Sequence, residues 1–378
     1  MGATLSVAVG AFLAAPAEAQ WSLGPPELRV GVGEDPVVPF EEIVGILVRG
    51  DLAYVADAGS RQIHAFALAT GHRVATTGRR GQGPGEFQGL EWIGDCGGDS
   101  IFASDGVLNR VSVYSLELDH LRTFRVESPQ GNLSAIQCSG SGGFIGIIRH
   151  RDPLLSGGDG GIPPMIPYRS TFDVVFFAQD GSYLDSMGPF PGRERYRSPS
   201  RVPNRYSDLP LLWGMNPVLG SSQWGFVLGT SDDWSLVKYD MDGVPLDTLA
   251  LEEGRRVVSE SHRTAYVQRR VRRDRDAGRP TTETRRFWRE YPYPTHFPAY
   301  SKVVASDDGL VWVESFQVSY LEQRPSHWKV FAADGALTAT VDLPERFRLL
   351  WVGDTHVAGI MLDAFDVQTM EVRPIRRP

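Results

Sequence analysis

The chain has 378 residues, of which 38 are Lys or Arg and 46 are Asp or Glu, so its formal net charge is −8 at pH 7. An acidic chain is a poor candidate for nucleic-acid binding. Its two cysteines, without a neighbouring cluster of Cys or His, argue against a structural zinc site, which normally takes four ligands. The 41 Gly and 26 Pro suit many short strands joined by turns.

The first twenty residues form an apolar, Ala-rich run that ends in Ala17-Glu18-Ala19. This small-x-small ending is typical of a signal peptide, although no Lys or Arg precedes the run. The uncharged stretch before Glu18 is shorter than the roughly 20 residues of a transmembrane helix, and no later segment is apolar enough to span a membrane. We therefore predict a signal peptide over residues 1–19, cleaved after Ala19, and a periplasmic or secreted protein that begins at Gln20.

A unit of four short strands recurs six times along the rest of the chain. Each unit has two apolar strands joined by a turn, then a third strand that ends at an aromatic residue before a hairpin turn. The predicted first and second strands are 43–48 and 52–56, 90–93 and 100–104, 135–137 and 143–148, 218–219 and 225–228, 302–305 and 310–313, and 349–352 and 356–362. The third strands end at 64–66, 113–114, 176–177, 238–239, 330–331 and 364–365.

A unit of four strands is one blade of a propeller, so we predict an all-β, six-bladed β-propeller over residues 20–378. The sixth unit has only three strands because the chain ends after residues 368–375. The apolar segment 27–32 is therefore predicted to be the outer strand of the last blade, which closes the ring and removes exposed edges.

Two early segments carry a family resemblance. Residues 78–87, Gly-Arg-Arg-Gly-Gln-Gly-Pro-Gly-Glu-Phe, resemble the G-x-G-x-G-P-G-E-F linker between blades in NHL-like bacterial six-bladed propellers. Residues 54–63, Tyr-Val-Ala-Asp-Ala-Gly-Ser-Arg-Gln-Ile, resemble the blade signature Y-V-x-D-x-x-N-x-R-I, with Ser60 in place of Asn. The chain is thus similar to the NHL-like and TolB-like superfamily, which implies the architecture and not an activity.

Two interruptions of the repeat fall on one predicted face. Residues 152–169 are rich in Gly and Pro, and residues 251–297 contain an Arg-rich helical insertion between the fourth and fifth blades. Ser259 is predicted to cap a helix that runs to about Asp276, and a shorter helix follows over residues 282–291. Residues 255–290 hold 12 Arg and 5 acidic residues, about +7, so the rest of the chain carries about −8 − 7 = −15.

Three interpretations of these arginines remain open. They can pair with acidic loops of the propeller, or they can bind an anionic small molecule or a protein partner, since guanidinium groups bind carboxylates and phosphates bidentately. An acidic membrane surface or nucleic acid is the third. The candidate anion-binding or partner-binding residues are Arg269, Arg270, Arg272 and Arg273.

The loops that follow each second strand are expected to meet around the channel of the propeller. They carry the candidate ligand-binding residues Asp57, Asp105, Arg149, His150, Asp232 with Asp233, Glu314 and Asp363. A ring of carboxylates can hold calcium, but Asp at such positions also caps turns. Propeller lactonases hold an axial calcium through Glu, Asn and Asp, and the residues here that could imitate that set are Glu42, Asn109, Asn216 and Asp232.

No catalytic residue is predicted, because no Ser lies in a Gly-x-Ser-x-Gly motif and the eight His lack metal-ligand spacing. Cys96 and Cys138 are predicted to form a disulfide between the second and third units, with two unpaired buried thiols as the alternative. The leading hypothesis is an exported binding module without nucleic-acid partners. The alternative is a calcium-dependent, lactonase-like hydrolase, with calcium as the one candidate cofactor.

Overall fold

The computed structural model describes residues 19–31, 39–130, 133–139, 143–150, 165–199, 206–318 and 325–378. The predicted signal peptide, apart from Ala19, therefore lies outside the described residues, as does most of the Gly/Pro-rich segment 152–169. Within the described part of the chain, no helix is long and apolar enough to cross a membrane.

Strands dominate the fold and form five sheets. The chain begins with two short strands, β1 (Ala19–Leu23) and β2 (Leu28–Val30). Two antiparallel sheets of four strands follow in chain order, with the bounds β3 (Ile43–Arg49), β4 (Leu52–Asp57), β5 (Gln62–Ala67) and β6 (Arg73–Thr77), then β7 (Leu90–Gly94), β8 (Ile101–Asp105), β9 (Arg110–Tyr114) and β10 (His120–Arg125).

The third sheet has five strands and the fourth has four, again antiparallel and in chain order. Their bounds are β11 (Leu133–Ser139), β12 (Gly143–Arg149), β13 (Pro167–Phe177), β14 (Tyr183–Pro199) and β15 (Tyr206–Pro210), then β16 (Val218–Ser222), β17 (Gly225–Gly229), β18 (Ser235–Tyr239) and β19 (Pro245–Ala250). Two helices, α1 (Glu260–Asp276) and α2 (Thr282–Glu290), come next.

The last sheet has nine strands and joins the two ends of the chain. Its new strands are β20 (Tyr300–Ala305), β21 (Val311–Ser315), β22 (Ser326–Phe331), β23 (Leu337–Leu343), β24 (Phe347–Val352), β25 (His356–Leu362) and β26 (Gln368–Arg376). β1 lies between β23 and β26, parallel to the former and antiparallel to the latter, and β2 also pairs with β26.

The innermost strands form a closed cycle. β3 contacts β7, and the contacts continue through β11, β16, β20 and β24 back to β3. The hydrophobic core lies between neighbouring sheets. Tyr54 and Ile63 of the first sheet, for example, pack with Phe87, Leu90 and Ile101 at the second. The architecture is therefore all-β and propeller-like, as the strand spacing predicted.

Most predicted strands agree with the structure to within two or three residues at each end. The third strand assigned to the sixth unit is wrong, because Phe365 is 88% exposed and lies in the turn before β26. The Asp363 carboxylate accepts hydrogen bonds from the backbone amides of Phe365 and Val367, which makes this segment a turn. The predicted closing strand 27–32 is confirmed in its centre, where Leu28 pairs with Val372.

The disulfide is confirmed and ties the second sheet to the third. Cys96 and Cys138 are bonded, with their Cα atoms 4.9 Å apart. Cys96 lies between β7 and β8, whereas Cys138 lies within β11 rather than in the turn after it.

Both helices have the predicted bounds to within one residue. The Ser259 hydroxyl accepts a hydrogen bond from the His262 amide, and His262 Nδ1 accepts one from the Ser259 amide, which is a capping box with His at the third position. After α1 the chain turns at Gly278, whose φ of +66° favours glycine.

Candidate functional site

The predicted acidic residues on the channel face divide into two groups, and the first consists of turn caps. The Asp57 carboxylate accepts hydrogen bonds from the Glu42 amide (2.7 Å), the Gly59 amide (3.2 Å) and the Ser60 hydroxyl (2.8 Å). Asp57 is 1% exposed. Its oxygens are used to hold the segment that leads into β3 against the turn that follows β4.

Asp105 repeats this arrangement one sheet later. Its carboxylate accepts four backbone hydrogen bonds, at 2.7–3.1 Å, from the amides of Gln88, Gly89, Val107 and Leu108. Asp105 is fully buried. With Asp363, which caps the turn before β26, three of the predicted ligand-binding carboxylates are satisfied by their own backbone.

Among the predicted residues of the third and fourth sheets, Asp232 is held in an ion pair and His150 contacts a carboxylate. Both oxygens of Asp232 accept from Arg169 Nη1, at 2.6 and 2.7 Å. His150 Nε2 lies 2.9 Å from an Asp173 oxygen, and Arg149 is exposed at the end of β12.

The structure does not assemble the four residues proposed to imitate an axial calcium site. Asn109 occupies a left-handed turn position, with φ of +48°, and Asp232 is bound to Arg169. Asn216 does line the channel. Across the described residues, no group of three or more His, Cys, Asp or Glu could hold a metal ion.

The innermost strands of all the sheets enclose a central cavity of about 440 Å³. Its wall combines polar and apolar surface, and Trp92 and Trp351 each lie over a glycine two residues further along the chain, at Gly94 and Gly353. Charged side chains are few in this wall. Lys302, on β20, is the cation among the lining residues, and Asp95 and Asp307 are the carboxylates.

A second cavity of about 310 Å³ lies beside the first, and Ser301 lines both. Its wall contains Glu314, Arg346 and Arg348. Glu314 is the cross-strand partner of Lys302, and one of its oxygens accepts from the Ser301 hydroxyl at 2.8 Å. Of the carboxylates predicted on this face, Glu314 is thus the one that lines either of these two cavities.

The ionisation of this group is perturbed by burial. Desolvation lowers the pKa of Lys302 to about 8, and the positive charge of Arg348 acts in the same direction while Glu314 opposes it. Desolvation also raises the pKa of Glu314, although Ser301 and Lys302 act to lower it. Perturbed groups beside a cavity are typical of functional sites. Lys302 and Arg348 were not predicted as site residues; the clue was a lysine in the innermost strand of a unit.

The helices are fixed to the third sheet by aromatic side chains. The rings of Tyr196 and Tyr291 lie 5.0 Å apart between centroids, and the Tyr291 hydroxyl accepts from the Leu212 amide at 2.6 Å. The Arg270 guanidinium lies over the Trp288 ring, 5.5 Å from its centroid. Arg270, one of the four predicted anion-binding residues, is therefore part of this packing.

The other three predicted arginines, Arg269, Arg272 and Arg273, are exposed and share one face of α1 by their spacing of three and four residues. Within the described residues, no carboxylate lies within 4 Å of Arg272 or Arg273, nor of Arg275, Arg285 and Arg289. The interpretation in which these arginines pair with acidic loops of the propeller does not hold for these five.

No protein-family model matches the chain, and no curated protein matches it. Among solved structures, the chain is similar to a Bacteroides fragilis protein predicted to be exported, with 12% identity, a TM-score of 0.52, and coverage of 96% of this chain and 98% of that one. It is also similar to a DUF4221 family member from Bacteroides vulgatus, with 9% identity, a TM-score of 0.54, and coverage of 96% and 99%. At these identities the likeness concerns the fold alone, which is propeller-like.

Proposed function

We propose that this chain is an exported six-bladed β-propeller that binds an anionic ligand or an acidic partner through the outward arginines of its helices. The closed cycle of six innermost strands supports the blade count. On this proposal the nine-stranded sheet consists of two blades. One blade contains β20 to β23, and the other contains β24 to β26 together with β2. Strand β1 pairs with both β23 and β26 and so links the two blades. The helices then form an insertion between the fourth and fifth blades.

Export is part of the proposal. The Ala17-Glu18-Ala19 motif and the disulfide, which is a bond of oxidising compartments, support cleavage after Ala19 and a periplasmic or secreted protein of residues 20–378.

One observation carries the binding function: Arg272 and Arg273 are exposed, and among the described residues neither lies within reach of a carboxylate. Like charges three or four residues apart on a helix destabilise it by about 0.2–0.5 kcal/mol per pair. The helix dipole favours Arg273 and Arg275 in the last turn, but it gives no such support to Arg285 in α2. An external anion offsets the remaining repulsion.

A calcium-dependent hydrolase is not proposed, because the carboxylates Asp57, Asp105 and Asp363 are used by turns and Asp232 by Arg169.

The test uses a fluorescein-labelled poly-glutamate peptide as the acidic probe, with binding followed by fluorescence anisotropy. We expect the double variant Arg272→Gln/Arg273→Gln to bind about tenfold more weakly than the wild type, which corresponds to 1.4 kcal/mol, and the wild-type affinity to fall between about 50 and 200 mM salt. The matched control is Arg73→Gln/Arg125→Gln, two exposed arginines of outer strands. Equal binding by both double variants, or no binding by the wild type, overturns the proposal.

A further inference from the structure

We infer that the two cavities that share Ser301 in their walls together form a binding site for a small carboxylic acid with an apolar body, whose carboxylate is held by Lys302 of the larger cavity and Arg348 of the smaller one. This site is separate from the arginines of the helices and does not depend on the function proposed for them.

The shape of the site is set by a β-bulge. Tyr300 pairs with Ser315 and Lys302 with Glu314, so Ser301 is the extra residue on β20. Bulges redirect side chains and recur beside functional sites. Here the bulge places Ser301 in the wall of both cavities, beside Lys302 in the wall of the larger one.

The charge of the site favours an anion. Lys302 Nζ donates a hydrogen bond to the Leu349 carbonyl oxygen, which leaves two of its three N–H groups for a ligand. Arg348 is exposed and, among the described residues, lies within 4 Å of no carboxylate. Arg346, its neighbour in the smaller cavity, is paired with Asp366.

Glu314 is the carboxyl that pairs across the strands with Lys302; burial raises its pKa, and one of its oxygens already accepts a hydrogen bond from the Ser301 hydroxyl. The larger cavity is also lined by Asp95, which is paired with Arg49, and by Asp307, which accepts hydrogen bonds from the Ser222 hydroxyl and the Gln223 amide. Lys302 and Arg348 are thus the lining cations that, among the described residues, have no carboxylate within 4 Å.

One part of the wall of the larger cavity is apolar and favours an apolar body on the ligand. Trp92 and Trp351 lie along the larger cavity together with aliphatic residues such as Ile93 and Leu350. Volumes of about 440 and 310 Å³ lie at the lower end of the range of ligand pockets, about 300–1,000 Å³, and such pockets combine an apolar wall with a few polar groups that orient the ligand. A carboxylate at Lys302 and Arg348, with an apolar chain or ring along the tryptophans, uses both parts of the site.

The experiment measures binding of octanoate and of phenylacetate by isothermal titration calorimetry, with octanamide as the uncharged analogue. The variants are Lys302→Met and Arg348→Gln. The matched control is Lys238→Met, because Lys238 also donates to a backbone carbonyl, that of Ala333, and burial also lowers its pKa, but it is not among the residues that line either cavity.

We expect at least one of the two carboxylates to bind the wild type and the Lys238→Met variant alike. Binding should weaken about tenfold, the equivalent of 1.4 kcal/mol, in each of the two site variants, and octanamide should bind more weakly than octanoate. Arg348 is exposed, so its variant retains the fold even if Lys302→Met does not. Absence of binding to the wild type, or equal binding by the wild type and Arg348→Gln, overturns the inference.

Discussion

Asp105 shows how one side chain can be read in two ways. An acid at the end of a second strand can be a metal ligand or a turn cap. In the structure the Asp105 carboxylate accepts hydrogen bonds from four backbone amides, so it is a turn cap. Asp57 makes the same use of the preceding segment through the Glu41 and Glu42 amides. Asp57, the Asp of the Y-V-x-D signature, and Asp105 thus fix the chain that enters the first and the second sheet.

We predict that Asp105→Ala lowers the free energy of unfolding by about 2–4 kcal/mol, because it leaves several buried amides without a partner. Urea denaturation followed by circular dichroism measures this loss. Calcium and a chelator should leave the midpoint of the wild type unchanged. If Asp105→Ala leaves the free energy of unfolding unchanged and calcium stabilises the wild type, the result would instead support Asp105 as a metal ligand.

Lys302 gives a prediction about pH. Because its pKa in the folded protein is lowered to about 8, below the value of about 10.4 for an unfolded chain, the unfolded state binds more protons between these values. The free energy of unfolding should therefore rise with pH in this window. Below about pH 8 the buried charge of Lys302 lowers the free energy of unfolding by a constant amount. The rise in the free energy of unfolding is complete only above the pKa of the unfolded chain.

The measurement compares urea unfolding of the wild type and Lys302→Met at about pH 8 and pH 9.5. The wild type should gain about 1 kcal/mol relative to the variant, a figure reduced for the partial exposure of Lys302. Buried tyrosines such as Tyr114, whose pKa is raised to about 12 by burial, titrate above this window in the folded state. A constant difference between the two proteins at both pH values would show that Lys302 is not desolvated.

At the scale of elements, the disulfide joins two neighbouring sheets across a separation of 42 residues. The chain-entropy estimate for a loop of this length is about 4 kcal/mol. We expect Cys96→Ser/Cys138→Ser to lower the free energy of unfolding by about 2–4 kcal/mol, and a reducing agent to bring the wild type to the same midpoint. If reduction leaves the wild-type midpoint unchanged, the bond contributes nothing to stability.

Local patterns predicted most elements well. Ser259, Gly278 and Pro280 mark the ends of α1, and Gly50-Asp51 marks the hairpin between β3 and β4. The length of β14, with its 17 residues, and the added strand β15 were not predicted. The extra length of β14 is stabilised by packing against residues distant in sequence, such as the contact between Tyr196 and Tyr291. Periodicity within one strand carries no information about such a partner.

The candidate site also depends on contacts between residues that are distant in sequence. Each of its members is ordinary in sequence: Lys302 is the third residue of β20, Glu314 is the next-to-last residue of β21, and Arg348 is the second residue of β24. Only the pairing of β20 with β21 and the contact of β20 with β24 bring them together. Sequence analysis named Glu314 as a candidate but could not distinguish it from acids that cap turns, because that depends on which backbone amides are near.

The whole molecule depends on how its two ends meet. β1 and β2 come from the start of the chain, and both pair with β26 at its end. Leu28 is 7% exposed and packs in a cluster that includes Phe40, Phe66 and Met370, so it joins the last strands to the first complete sheet. A ring closed in this way should unfold as one unit, since the loss of the closing strand exposes the cores on both sides.

We therefore predict that Leu28→Ala lowers the free energy of unfolding of the whole protein by about 2–5 kcal/mol, the range for a buried leucine. The urea midpoint should shift equally by far-UV circular dichroism and by tryptophan fluorescence, with an unchanged denaturant slope. The control is Val74→Ala, because Val74 is 56% exposed on the outer strand β6. Hydrogen exchange separates the alternatives: protection lost only in β2 and β26, with the global midpoint unchanged, would mean that the closing strand opens locally and that the ring does not need it to stay folded.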